Sequence, residues 1–347
     1  MKRFIFRTVF FLSPFILLEI LSLLFYSKEQ GDLIRMGYIR KDDPYREQFK
    51  AEISRPRFFH SFADVDTTKK NHYSVITIGD SFSEQDNFGY KNYLAESDAV
   101  TVLHVDKPRG SSNPIETLYA LLNGDLLQHV DVSYIVLQSV EREFVARGQK
   151  IDKKKKISIR ALQKAAANKK PNDYSISFPP PELWKFPLYN VLYHYNDHAY
   201  YSEVYRVKLD EQLFSGRRPD ELLFYKVDLD HTPLNSDRKA IENLNSELNE
   251  LSAMLEARKI KLIVLPGPDK YDMYYDHIVN KAMYPKPAFF KIFGEMKKDY
   301  LYIDSRMILG NLLPTGKDVY FYDDTHWSPQ SAKIIAGEIS KIIRRGK

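Results

Sequence analysis

The sequence predicts an α/β protein whose parallel sheet is covered by helices on both sides. Three observations carry that prediction. Short runs rich in β-branched residues recur along the chain, these runs are continuously apolar, and stretches of helical periodicity separate them. A strand buried on one face alternates apolar and polar residues, whereas a strand buried on both reads as an unbroken apolar run. Strands that alternate with helices imply parallel neighbours joined by helical crossovers.

Strands are expected at "SVITI" (74–78), "AVTVLHV" (99–105), "VSYIVLQ" (132–138), "IKLIVLP" (260–266) and "YLYID" (300–304). The first helix between them is "NPIETLYALLNGDLL", with Asn113 as N-cap and Pro114 at the first helical position, where its missing N–H costs nothing. In "SDRKAIENLNSELNELSAMLEARK", Ile241, Leu244, Leu248, Leu251 and Leu255 recur at helical spacing and mark a helix packed on a sheet. The chain closes with "SPQSAKIIAGEISKIIRR", capped by Ser328 and basic in its last turn, which suits the helix dipole.

The N-terminus has a different character. Residues Phe4 to Tyr26 are nearly all apolar, interrupted by Arg7, Pro14 and Glu19, over about the 20 residues a membrane-spanning helix needs. Lys2, Arg3 and Arg7 put positive charge at its start, so the N-terminus is expected in the cytoplasm and the remainder outside. A cleaved signal peptide would need small residues at its end, and "LLFYSKEQ" offers only Ser27. The expected organisation is an uncleaved single-pass anchor at 1–27 in a bacterial inner membrane, a polar stalk and entry segment at 28–70, and an extracytoplasmic catalytic domain at 71–347. An insertion at about 148–233 breaks the strand–helix rhythm with a lysine run, Lys153–Lys156, and the Pro- and Tyr-rich "FPPPELWKFPLYNVLYHYNDHAYY". Its plain reading is an irregular packed insertion. Its aromatic residues, Trp184 among them, are also candidate stacking faces for sugar rings.

Composition narrows the chemistry. With 44% hydrophobic and 28% charged residues, most of the chain folds as a globule. A net charge of +5 over 347 residues and the lack of any nucleic-acid motif give no reason to expect a nucleic-acid partner. There are no cysteines, which excludes disulfides, thiol catalysis and cysteine metal sites. The nine histidines include no pair at zinc-ligand spacing beside acids, so neither metal nor cofactor is expected.

Two short stretches hold the chemistry. "VITIGDSFSEQ" (75–85) is an apolar run ending at Gly-Asp-Ser, which places Ser81 just beyond the carboxyl end of a strand, where open α/β sheets bind ligands. A serine hydroxyl is a weak nucleophile unless a base reaches it and an acid orients that base. "FYDDTHWSPQSA" (321–332) offers His326 with Asp323 or Asp324 in one loop before the last helix. Each motif alone is weak. Their joint placement, after the first strand and before the last helix, is far more specific.

"GDSFS" and "DDTHWS" resemble the first and last sequence blocks of the SGNH (GDSL-type) hydrolase superfamily, and "DTHWS" resembles the branch of bacterial O-acetyltransferases that acetylate alginate and related exopolysaccharides. The likeness covers about residues 72–145 and 258–345. It implies a flavodoxin-like three-layer α/β/α fold and a Ser-His-Asp triad. In the alginate proteins the Asp-His pair precedes the serine, whereas here it follows, in the ordinary SGNH order. The usual Asp-x-x-His spacing selects Asp323 as the orienting acid. The Asp-x-His spacing of the alginate-type proteins selects Asp324, and the longer Asp-Thr-His-Trp match favours it. Trp327 is read as packing behind the histidine. The resemblance also implies an oxyanion hole made by the Ser81 N–H and a glycine N–H, here Gly110. The asparagine block of the third strand is absent, so Gln138, Ser139 or Arg142 is left to replace it; for Arg142 a salt bridge to Glu141 or Glu143 is an equal reading. Lys270 and Tyr274, in "LPGPDKYDMYYDHI", fall at the same sheet edge and are candidates to line the site, as against ordinary loop residues.

The resulting expectation is a membrane-anchored O-acyltransferase, with acetyl as the group moved, acting on a cell-envelope polysaccharide. By resemblance alone, a multispan membrane acyltransferase is its partner. A carbohydrate esterase using the same residues is the first rival, and a non-catalytic glycan-binding assembly subunit the second.

Overall fold

The computed structural model describes residues 1–26, 31–41, 44–96, 100–105, 112–167 and 181–346. Its main sheet has six parallel strands: β1 (His60–Ser61), β2 (Asn71–Ile78), β3 (Val102–Val105), β4 (Val130–Val140), β7 (Lys261–Gly267) and β8 (Leu301–Tyr302), in the order β1-β3-β2-β4-β7-β8. The expected strands are all present, with β2 and β4 longer and β3 and β8 shorter than their apolar runs, and β1 is an added edge. From β3 to β8 the order is that of a flavodoxin-like sheet, which reverses direction between β2 and β4.

Alternate residues of each strand enter different cores. Val75, Val136, Ile263 and Leu265 face one side, with α3 (Tyr90–Ala95) and the last helix, α9 (Pro329–Arg345). Ile76, Ile135, Leu137, Leu262 and Val264 face the other, with α4 (Pro114–Leu122) and α7 (Arg238–Glu256). Burial on both faces is why the strands lack polar alternation. The caps read from sequence form: Asn113 accepts from the Ile115 and Glu116 N–H groups, Ser328 from Ser331, and Pro114 occupies the first turn of α4.

Two regions differ from their expected character. Residues 31–70, expected as a stalk and entry segment, pack into the domain: α2 (Asp32–Gly37) and the residues after it bury Leu33, Ile34, Ile39 and Tyr45 in the main core. Polar turn formers in that stretch had masked short apolar anchors. The insertion contains α6 (Glu182–Leu192) and an antiparallel pair, β5 (Val204–Lys208) with β6 (Glu221–Tyr225), whose Tyr205 and Phe224 rings stack 5.0 Å apart. That pair joins the same core through Val204, Val207, Leu222, Leu223 and Phe224. The N-terminal helix α1 (Lys2–Phe25) has a mean hydropathy of 2.2 over its apolar window. Among the described residues it is the one helix long and apolar enough to cross a membrane.

Candidate active site

Ser81 stands where the sheet order reverses, one turn beyond β2. Gly79 lies so close to Gln138 that a Cβ there would overlap Gln138 Oε1 and Ser83 Oγ, which leaves room for glycine alone. Asp80 is fully buried and organises the turn. Its Oδ1 accepts from the Phe82 N–H at 3.1 Å, and its Oδ2 from the Val140 N–H at 2.7 Å and from Arg147 Nη1 at 2.5 Å. Burial alone would raise the pKa of this carboxyl, but the Arg147 charge and the two backbone N–H groups outweigh it and hold the pKa down. Gln138 lies beneath, accepting from the Asp80 N–H at 3.1 Å and Ser83 Oγ at 3.0 Å. Ser81 is left half-buried on the wall of a cleft of about 350 Å³ shared with Ser112, Asn113, Val140, Arg142 and Arg147. A hollow of about 420 Å³ lies at the other end of the strands around His72, Asp131 and Lys261, away from the edge where such sheets bind ligands.

His326 lies in the loop before α9. Its Nδ1 is 2.5 Å from Asp324 Oδ1, which also accepts the His326 backbone N–H at 3.1 Å. Burial would raise the Asp324 pKa, but the charge and hydrogen bonds of His326, with Arg46 beside them, drive it far down. The carboxyl is therefore ionised, and the proton of this hydrogen bond belongs to Nδ1. That fixes the tautomer and leaves the Nε2 lone pair available. Burial pulls the imidazole pKa down, yet the adjacent Asp324 charge prevails and raises it above its ordinary value. Nε2 is buried and has no hydrogen-bond partner among the described residues, and neither does Ser81 Oγ. Phe82 and Gln85 tie the serine turn to this loop. The Phe82 ring packs on the imidazole with centroids 4.8 Å apart, and Gln85 Nε2 donates to the Trp327 carbonyl at 2.8 Å.

The histidine loop is held from several directions. Asp323 does not touch the imidazole; its carboxylate takes Arg46 Nε at 2.8 Å and the Gly31 N–H at 3.3 Å. Arg46 Nη2 bridges to Asp324 Oδ2 at 3.2 Å, and its guanidinium lies 4.0 Å over the Phe321 ring. Asp32, at the start of α2, accepts from the Thr325 N–H at 2.8 Å and Thr325 Oγ1 at 2.6 Å. The Leu33 N–H donates to the Asp323 carbonyl at 3.1 Å. From the opposite side, Lys270 Nζ donates to the carbonyls of Phe321 and Tyr322, both at 2.7 Å, and of Asp324 at 3.3 Å. From the insertion, Glu221 accepts from Tyr322 Oη at 2.5 Å, and Arg218 donates to that same oxygen at 3.1 Å.

Several expected site residues have other surroundings. Lys270, in α8 (Lys270–Tyr274), is fully buried and braces the loop backbone instead of lining a cleft, and desolvation brings its pKa down to about 7. Tyr274 is fully buried as well, its hydroxyl accepting the Tyr320 N–H at 3.2 Å. Trp184 packs edge-on against Phe15 of α1, 5.6 Å between centroids, and belongs to a different surface. Arg142 lines the Ser81 cleft, but its Nη1 is ion-paired with Asp228 at 2.9 Å and Asp269 at 3.0 Å, not with Glu141 or Glu143. Gln138 supports the turn from below. Gly110 lies outside the described residues. Trp327 is buried against Phe82, as a packing residue would be. Sequence reasoning missed Asp32, Arg46, Asp80 and Arg147. Of these only Asp80 stood in a quoted motif, and nothing local in "GDLIRMGYIRKDDPYREQF" marks the other N-terminal pair. Asp32, Asp324 and His326 each place a ligand atom within 4.8 Å of the others, the set a cation would use, but Thr325 already satisfies Asp32 and Asp324 engages Nδ1.

Residues 219–347 match the family model described as SGNH hydrolase-like domain, acetyltransferase AlgX. A stretch of 148 residues is 26% identical to the probable alginate O-acetylase AlgJ of Pseudomonas fluorescens, covering 39% of this chain and 36% of the relative. The chain carries an SGNH hydrolase-like domain that resembles the AlgX/AlgJ branch. The matched part of this SGNH-like domain contains Asp324, His326, Lys270 and the β6 residues that brace them; Ser81 lies before it. The match spans about a third of the relative's length. No solved structure matches the chain.

Proposed function

We propose that this chain is a membrane-anchored, extracytoplasmic O-acetyltransferase that modifies a cell-envelope polysaccharide through an acyl-enzyme on Ser81. The observation that supports this most is the Asp324–His326 pair with its open Nε2, inside the segment that matches an acetyltransferase model. In the first step Ser81 Oγ attacks the acyl carbonyl carbon of the donor while Nε2 takes the hydroxyl proton. The imidazolium is stabilised by Asp324, in keeping with the raised His326 pKa. The oxyanion takes hydrogen bonds from the Ser81 N–H and, as the family likeness suggests, the Gly110 N–H, with Arg142 in the cleft wall held in place by Asp228 and Asp269. The intermediate collapses, the donor's alcohol leaves with the proton from Nε2, and an ester remains on Ser81. In the second step an acceptor sugar hydroxyl gives its proton to Nε2 and attacks that ester, and Ser81 departs reprotonated. The Ser81–His326 hydrogen bond belongs to the substrate complex, since such bonds often close only there. Delivery of the donor by a multispan membrane partner is part of the same reading.

The test uses the full-length protein in detergent with a chromogenic acetyl ester, with and without envelope glycans. Transfer predicts new acetyl esters on a glycan and less free acetate. Acetate release that no glycan alters would leave an esterase.

A further inference from the structure

Helix α6 of the insertion has two apolar faces, and the fold covers only one. Phe186, Tyr189 and Tyr193 point inward and are at most 8% exposed. Trp184, Leu188 and Val191, spaced four and three apart along the opposite side, and Tyr195 in the turn just past the helix, are 48%, 53%, 56% and 82% exposed. Lys185 and Asn190 flank this face, but an apolar face of a helix is normally packed on protein or lipid. Two more tyrosines, Tyr200 and Tyr201, stand 68% and 84% exposed shortly after it.

What lies beside this face is α1. The α1 residues at least partly withdrawn from solvent, Phe15, Leu18, Glu19, Ser22 and Phe25, with Tyr26 just past its end, lie along one side, and that side meets α6. Ser22 Oγ donates to the Glu182 carbonyl at 3.3 Å, Phe186 meets the Tyr26 ring at 6.1 Å, and Trp184 reaches Phe15. Every other side of α1 is open. Ser22 lies about one helical turn, or roughly 5 Å, before the end of α1. The N-terminus of α6 therefore lies about that far below the level at which α1 ends, and the Trp184 indole goes deeper. For this first turn that is the depth at which amphipathic helices lie in a membrane interface, and Phe186 one turn on is level with Tyr26 at the end of α1. Two basic groups lie near the same level: Arg40 is 4.6 Å over the Phe25 ring and Lys185 5.1 Å over Tyr38, where long basic side chains can reach lipid phosphates.

We propose that α6 is a second membrane element, seated in the outer leaflet beside α1, with Trp184, Leu188, Val191 and Tyr195 in lipid and Arg40 and Lys185 at the phosphates. It rests on the reading of α1 as a membrane span. The insertion then holds the catalytic domain against the bilayer in one orientation, and Trp184 meets lipid rather than sugar. Anionic phospholipid is the occupant, because the exposed stripe continues the open apolar surface of α1 and basic side chains border it.

The chain has two tryptophans, and Trp327 is fully buried, so Trp184 is a built-in depth probe. The full-length protein is reconstituted in phosphatidylethanolamine–phosphatidylglycerol vesicles whose acyl chains carry bromine. We expect the bromines to quench most of the Trp184 emission and the Trp184→Phe variant, with Trp327 alone, to show no quenching. The double variant Leu188→Lys, Val191→Lys should still float with vesicles yet lose the quenching. Protein that floats while Trp184 is quenched by aqueous acrylamide and not by bromolipid overturns the α6 assignment and leaves the α1 span standing; the stripe would then face water or another protein. Protein that fails to float overturns the α1 reading and this inference with it.

Discussion

The serine turn and the histidine loop are built in opposite ways. The serine turn is a product of the sheet. Gly79, Asp80 and Gln138 are consecutive with or directly beside two central strands, and their hydrogen bonds run to β4 and the helix that follows it, α5 (Glu141–Gln149). The histidine loop is irregular, and its shape is imposed from outside by Asp32 and Arg46 near the start of the chain, Lys270 after β7, and Arg218 and Glu221 in the insertion. Gly31 and its Asp323 partner are 292 positions apart. One half of the candidate site thus follows from the fold, and the other depends on distant segments docking correctly.

Substitutions that act on one half and spare the other sharpen this contrast. The largest effect is expected at the orienting acid. Asp324→Asn should lower the rate of acyl transfer by about 10³–10⁴-fold, because the imidazole loses its tautomer and its counter-charge; Asp323→Asn should leave turnover close to normal. Single-turnover acylation measured by mass spectrometry separates the two, and the reverse ranking would reassign the role.

Arg46→Met comes next. It leaves Asp323 buried without its cation, and since Arg46 is itself partly exposed the expected cost is about 1–3 kcal/mol in urea unfolding. Removing a positive charge beside Asp324 should also move the His326 titration upward in NMR. Arg147→Met, which unlocks Asp80 on the serine side, should slow acylation while the His326 titration stays put. If both variants shift the imidazole equally, the two halves are not separately built.

Lys270→Met removes the donor to three loop carbonyls and should cost roughly 1–3 kcal/mol. Its activity loss should appear in kcat more than in KM, because the lysine never reaches the cleft. A KM effect alone would return Lys270 to the substrate.

The smallest effect is in pH. His326 must be neutral to accept a proton, and its pKa is raised, so activity should fall as pH drops through a midpoint above the ordinary imidazole value of 6.5. In Asp324→Asn the residual activity should have its midpoint at lower pH. A wild-type midpoint below 6.5 would mean that burial outweighs Asp324.

The same contrast explains what the sequence disclosed. The sheet and its helices were legible because burial on two faces leaves unbroken apolar runs such as Tyr134–Leu137, and because Asn113 and Ser328 carry cap chemistry in their side chains. The Ser81 turn was legible for the same local reason. Asp324 was separable from Asp323 only by resemblance; in the structure Arg46 and the Gly31 N–H claim Asp323, and both lie far away in sequence. Lys270 and Tyr274 fell correctly at the carboxyl edge of β7, but edge position does not say whether a side chain points to the cleft or inward, and both point inward. Trp184 is legible in the sequence only as an aromatic of the insertion, and an exposed aromatic has the same signature whether it meets a sugar or a lipid.

The central claim is that Ser81 carries the acyl group, and it is tested most directly on the intact protein. The intact protein is mixed with an activated acetyl ester, stopped with acid, weighed, and digested to locate the adduct. The account predicts one acetyl group on the peptide containing Ser81, absent in Ser81→Ala and slow to form in Asp324→Asn, with both variants folded by circular dichroism. Acetylation at another residue, or ester turnover that survives Ser81→Ala, would contradict it.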